Sequence, residues 1–162
     1  VLESEGVFQV REYPSLTMVT TRMNNGSQDE DKSFRRLFRY ISGANEDSQK
    51  VAMTTPVFMD SDEDVMGMRM GFVIPKKVVN QQVPKPSSNE VQIRERSAGR
   101  FAVIRFSGRL NNDRCAAAEI RLREWILSQG LLGTASVESA GYDPPWTPGP
   151  LRRNELLIRL MD

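Results

Sequence analysis

With 162 residues, 22 basic side chains against 21 acidic ones and no histidine, the chain is long enough to bury a core without staples. Its charge balance argues against a nucleic-acid binder. The missing imidazole removes the commonest general base, nucleophile partner and metal ligand, and with one cysteine, Cys115, it excludes Cys/His zinc sites and an intrachain disulfide. No apolar run approaches the roughly 18 residues of a membrane-crossing helix, so a soluble domain without a transmembrane segment is expected. The first residue is Val, and Cys115 fits either redox regime. The compartment therefore stays open between the cytoplasm and, with a leader or anchor upstream, the cell envelope or an organelle.

The first predicted elements are a strand pair in residues 7–21, VFQVREYPSLTMVTT. Phe8 and Val10 alternate with Gln9 and Arg11, giving one buried and one wet face, and Pro14 breaks the run. In NNGSQDEDKSFRRLFRYISG, Ser27 and Glu30 have capping-box spacing, and Phe34, Leu37, Phe38 and Ile41 fall in one sector of a helix. Arg35, Arg36 and Arg39 take the opposite side and Gly43 supplies a stop. Two extended runs follow, residues 50–59 and 67–75, the second with Met68, Met70, Phe72 and Ile74 on one face. In the first, KVAMTTPVFM, Pro56 lacks a backbone donor and marks an edge, bulge or bend. Thr54 and Thr55 are suited to satisfy the freed backbone groups, so the run is expected to form a structural corner. Met53 is its member best fitted to touch a flat ligand, because a thioether adapts.

A polar linker, KKVVNQQVPKPSSNE, joins this half to one that repeats it. The step Val10-Arg11-Glu12 recurs as Ile93-Arg94-Glu95, and the break at Pro14 recurs at Gly99. Val91 and Ile93 are expected to face inward against Gln92 and Arg94. A second helix starts near Asn112 or Asp113 and runs through CAAAEIRLREWILSQG, ending at Gly130. Ala118, Leu122, Trp125 and Ile126 line its inner side, with Ile120 and Leu127 widening the buried face. Extended runs at 134–141 and 155–161 close the half, Leu156, Ile158 and Leu160 sharing a face. Strands, helix and strands, repeated once, predict an α+β fold with helices segregated on antiparallel sheet. The expected organisation is one domain of two pseudo-repeats, about 7–78 and 90–162, sharing a core.

The segments FQVREYP, KVAMTTPV, FVIPKK, VPKPSSNEVQIRE, FAVIRFSG, GYDPPWTP and RRNELLI, in this order, resemble the SOUL family of haem-binding proteins over nearly the whole chain. The resemblance implies a distorted antiparallel barrel or sheet of about eight strands with two main helices. That is a duplicated βαββ unit with the topology of gyrase-inhibitor-like effector-binding domains. It also implies binding of haem or other tetrapyrroles without turnover, at a site along the first long helix and the loops facing it. On this chain the matching walls are Phe34, Leu37, Phe38 and Ile41, with Arg39 and Tyr40 at the edge. Tyr142 and Trp146 are further walls, Met53 is a candidate contact, and Arg152 or Arg153 is a rim cation. Arginine suits propionates because its fork binds carboxylate bidentately.

A structural reading stands beside each of these. The apolar stripe equally packs on the sheet, the arginines equally form a solvated helix face, and Arg152-Arg153-Asn154-Glu155 equally forms an ion-pair and hydrogen-bond cluster. One branch of the family is implied to use an axial histidine, which has no counterpart here. An axial ligand must then be Met, Cys115, Tyr, water or nothing. Cys115 near a helix start is placed either for a dipole-favoured thiolate or as a small hydrophobe.

The expected function is a haem or tetrapyrrole carrier or buffer that binds mainly by apolar contact, and not an enzyme. Burying about 300 Å² of porphyrin is worth about 7 kcal/mol, of which association consumes much, so binding should be weak and reversible. Two other functions carry their own signs. A buried carboxylate such as Glu95 or Glu155 facing a cavity would mark a receptor for other flat or cationic molecules. An exposed apolar patch around Trp146 would mark a protein-interaction module.

Overall fold

The structure, a computed structural model, describes residues 1–23, 30–61, 68–144 and 146–162. Ser27 of the capping-box pair and Gly67 lie outside the described residues. The elements in chain order are β1 (Glu3–Glu5), β2 (Phe8–Tyr13), β3 (Leu16–Met23), α1 (Glu30–Ile41), β4 (Val57–Ser61), β5 (Met68–Val73) and α2 (Lys76–Gln81). They continue with β6 (Val91–Arg96), β7 (Gly99–Ser107), α3 (Asn112–Ser128), β8 (Gly133–Gly141), a 3-10 turn (Gly149–Leu151) and β9 (Arg153–Leu160). The fold is α+β with antiparallel strand pairing, as expected, and it adds the short β1 and α2 to the anticipated set. Helix α2 falls in the supposed linker. It buries no residue, so no apolar period announces it. Among the described residues no helix is long and apolar enough to cross a membrane.

The chain forms two compact units, one of residues 1–15 and 97–162 and the other of residues 16–96. In the first, the strands run in the order β1-β2-β7-β9-β8, all antiparallel. Helix α3 packs Ala118, Leu122, Trp125 and Ile126 onto Val10, Ala102, Ile104, Leu156, Ile158 and Leu160. Trp125 stacks on Phe8 at 5.2 Å and donates its indole N–H to Glu5 Oε2 at 2.8 Å, so its polar atom is satisfied as its ring is buried. Asn111 caps the helix, its side chain accepting from the Arg114 amide at 2.8 Å, and Gly130 at φ +70 ends it. Ile120 and Leu127 do not widen the buried face: both are exposed. At about 100° per residue they stand roughly opposite the row from Ala118 to Trp125.

In the second unit the order is β4-β5-β3-β6, again antiparallel. Met70, Phe72 and Ile74 are buried as predicted, whereas Met68, at the start of β5, and Ile93, on the edge strand β6, are exposed. Residues 50–56 are irregular and strand begins only at Val57, so the expected strand over 50–59 is shortened to β4. The Thr55–Pro56 bond is cis, and Thr54 Oγ1 donates to the Val73 carbonyl at 2.5 Å.

Helix α1 packs on the sheet of this unit, with Phe34 edge-on to Phe72 at 5.2 Å. Its buried arc is turned from the one the apolar residues suggest. Ser33, Phe34, Leu37, Tyr40 and Ile41 are buried, while Phe38 is 47% exposed. The arc is centred near Leu37, and Phe38 stands about 100° round from it.

Strand pairing joins the two halves of the sequence: β2 of the first half pairs with β7, and β6 of the second half pairs with β3. Each unit is thus completed by a strand from the other half of the sequence.

Two substitutions on α3 separate core from surface. Leu122→Ala should cost about 2–5 kcal/mol in urea unfolding. Leu127→Ala should change stability by less than about 0.5 kcal/mol.

Candidate ligand-binding site

The expected site residues divide between the units. On α1, Phe34, Leu37 and Ile41 are committed to the core, and so is Tyr40, which was expected at an open edge. The Tyr40 hydroxyl donates to the Pro84 carbonyl at 2.5 Å, and burial, with Asp47 adding to it, pushes the phenol up to about 12. The helix end is held by Asn45, a buried residue that sequence reading missed. Its amide donates to the Tyr40 and Gln49 carbonyls at 3.0 and 2.7 Å, and its Oδ1 accepts from the Gln49 amide at 3.0 Å. The only sequence signal for it is a small polar residue just past the helix-ending Gly43, which adopts φ +114.

From there the chain returns to the helix, the Val51 amide donating to the Ile41 carbonyl at 2.7 Å. Met53, two residues on and so within about 7 Å of Val51 along the chain, is 41% exposed. Phe38 is stacked on Phe34 at 6.1 Å, and Arg35, Arg39 and Lys50 are exposed. This end of α1 therefore offers an open aromatic ring, a thioether and cations.

Arg36 is not simply solvated. It donates to Thr21 Oγ1 and to the Arg22 carbonyl, each at 3.1 Å, and lies 3.5 Å from a Glu90 carboxylate oxygen. Beside it lies a cavity of about 330 Å³ whose walls, among the described residues, are polar and charged side chains.

In the other unit, Glu155 is 5% exposed and fully engaged. Arg11 grips both its oxygens, at 2.6 and 2.8 Å, and the Tyr142 hydroxyl donates to Oε2 at 2.7 Å. Arg11 also reaches Tyr13 Oη at 3.0 Å and Gln9 Oε1 at 2.8 Å. Burial and the neighbouring Glu155 both raise the Tyr142 phenol, so it stays a donor. Glu95 is exposed, so neither expected carboxylate is a buried group awaiting a cation.

The Arg-Arg-Asn-Glu run clamps the turn before β9. Arg152 Nε donates to the Thr147 carbonyl at 2.8 Å and Asn154 to the Gly108 carbonyl at 2.6 Å. Asp143 accepts from the Arg153 amide at 2.6 Å and pairs with its side chain at 3.0 Å, contacts that hold its carboxyl below the usual range. Trp146, on this turn, is 75% exposed. Burial, and Glu119 beside it, push the Cys115 thiol up, which leaves it protonated at neutral pH and removes the thiolate option.

Two outcomes test this geometry. Arg11→Met leaves a buried carboxylate uncompensated and should cost about 3–5 kcal/mol in chemical unfolding, with Glu155→Gln on that background restoring most of it. The raised Tyr40 phenol stabilises the fold fully below its unfolded value of about 10, and that contribution is lost as pH rises toward about 12. Tyr40→Phe should therefore flatten the alkaline fall of stability between those values, read by thermal unfolding across pH.

A family model described as SOUL heme-binding protein matches residues 1–159. The chain is similar to heme-binding protein 1 of Xenopus laevis, 27% identical over 162 residues that cover 95% of this chain and 84% of that protein. It is also similar to heme-binding protein 1 of Bos taurus, 29% identical over 128 residues, 76% of this chain and 66% of that protein. Among solved structures it resembles the C-terminal domain of EcmrR, with TM-score 0.68 at 15% identity, covering 96% of this chain and 97% of that one. At such identity the likeness speaks for the fold alone. With the family model matched from the first residue to the last strand, the chain belongs to the SOUL heme-binding protein family.

Proposed function

We propose that this protein binds haem or a related tetrapyrrole reversibly, as a carrier or buffer, holding the macrocycle by apolar contact and peripheral cations without a histidine ligand. The observation that carries this reading is the rotation of α1, which turns Phe38 outward beside Arg39 while its stripe-mates are fixed in the core. A flat ring needs an accessible apolar surface with cations at its margin, and these residue types fit that need. Phe38, backed by Phe34, and Met53 would hold the ring face, and Arg39 with Arg35 would meet the propionates. Leu37, Tyr40 and Ile41 serve the site by fixing the helix, not by touching ligand. In the other unit, taken by itself, Trp146 is an exposed ring on a turn that Arg152 holds through the Thr147 carbonyl.

Haem, when bound, brings an iron that accepts thioether ligands, and Met53 is a donor of that kind. The names of the two heme-binding relatives support the ligand class. A cation receptor built on Glu155 is disfavoured, because Arg11 already occupies that carboxylate.

Titration with hemin and with metal-free protoporphyrin, followed by the Soret band, tests the reading. Affinities within about tenfold of each other are expected. Phe38→Ala should weaken both by about tenfold and Arg39→Ala by a few-fold. An unchanged spectrum in excess pigment, or unchanged affinity in both variants, would overturn it.

A further inference from the structure

Helix α3 is aliphatic on two sides, and its own unit uses one of them. The inner row, from Ala118 to Ile126, packs on the strands of residues 1–15 and 97–162. On the far side Asp113, Ala116, Ala117, Ile120, Glu124 and Leu127 recur at helical spacing and form one outward stripe. All six are exposed, Ile120 at 60% and Leu127 at 70%. A helix with aliphatic side chains on both faces is a helix built to be covered on both. The core takes neither Ile120 nor Leu127, so what covers them comes from outside the unit.

The charges along the stripe say what fits it. Glu124 stands about 40° round the helix from Ile120 and Arg121 about 100°, both on the same flank. Arg121 leans over the Phe8 ring at 5.7 Å and, like Glu124, is exposed. The other flank has no such cation to give, because Arg123 is taken up by Glu119 at 2.9 Å and by the Thr134 and Ala135 carbonyls. Two antiparallel helices related by a two-fold axis bring like flanks together, whereas two parallel ones bring opposite flanks together. In an antiparallel pair centred at the level of Leu122, Glu124 comes level with the partner's Ile120 and beside the partner's Arg121. Ala117, a small residue, comes level with the partner's Leu127. Large then meets small and each carboxylate meets a cation, twice over by symmetry. A parallel pair would set the two Glu124 carboxylates against each other.

We propose that α3 is a dimerisation helix whose occupant is a second copy of this chain, packed antiparallel across the Ile120–Leu127 stripe with Glu124 and Arg121 paired between copies. Two aliphatic side chains and two alanines fall well short of the roughly 800 Å² per partner of a standard interface. The dimer is therefore weak, with Kd on the order of 10–100 µM. It stands apart from the haem reading, since α1 belongs to the other unit.

Sedimentation equilibrium of the whole chain from about 5 to about 500 µM is the test, and a monomer–dimer equilibrium is expected. Leu127→Glu should weaken association at least about tenfold, and Glu124→Arg about tenfold. Combining Glu124→Arg with Arg121→Glu exchanges the two charges and should return the Kd to within about threefold of the original, a rescue that a merely structural role would not produce. Leu127→Ala, which leaves the monomer's stability unchanged, should still weaken association by about fivefold and guards against a charged variant that fails to fold. A chain that stays monomeric at about 500 µM overturns the proposal and leaves the stripe to a different protein. A dimer indifferent to Leu127→Glu, or a charge exchange that restores nothing, overturns it as well.

Discussion

The seating of α1 on its sheet is the constraint from which the functional surface follows. A helix of this length can bury one arc, and here the arc is centred on the fully buried Leu37. Burying Tyr40 on one flank requires a partner for its hydroxyl, which the Pro84 carbonyl provides. With that bond made, the helix turns away from the orientation that would have covered Phe38. The same turn carries Arg36 toward the end of β3 and leaves Arg39 in solvent. One hydroxyl–carbonyl contact thus sets what each side of the helix presents.

The two sides differ in kind. On one side Phe38 presents an exposed aromatic ring, while at Arg36 the described residues of the cavity wall are polar and charged. Arginine serves different ends in the two units. Arg11 neutralises a buried carboxylate within the chain, tying β2 to β9 across 144 positions of sequence. Arg22, Arg69 and Arg94 instead stand on one face of the β3-centred ladders, beside the cavity.

Much of this was legible in the sequence, for reasons that particular residues make clear. Helix α3 announces itself through a 3.6-residue apolar row, a capping Asn111 and a terminal Gly130. Internal similarity shows in the recurring apolar-Arg-Glu step, and Pro56 correctly signals an irregular entry to β4. The orientation of α1 was hidden because a wheel ranks Phe38 above Tyr40, and only the location of Pro84 reverses that order. Strand exchange was hidden because internal similarity tells which strands are alike and not which ones pair. The cavity beside Arg36 was hidden for a related reason: the described residues around it include members of three strands and a helix.

The exchange has a topological consequence. The chain leaves its first unit after Ser15 and re-enters it at Ser97. Tyr13 and Gly99 are partners on one rung of a ladder, as are Leu16 and Arg96 in the other unit. The second unit is therefore threaded into a hairpin of the first as an insert whose ends meet. Excising it would leave Pro14, Ser15, Ser97 and Ala98 as a four-residue hairpin loop, an ordinary length for such a connection. In chain order the protein is a host and a guest, and the guest carries both α1 and the cavity beside Arg36.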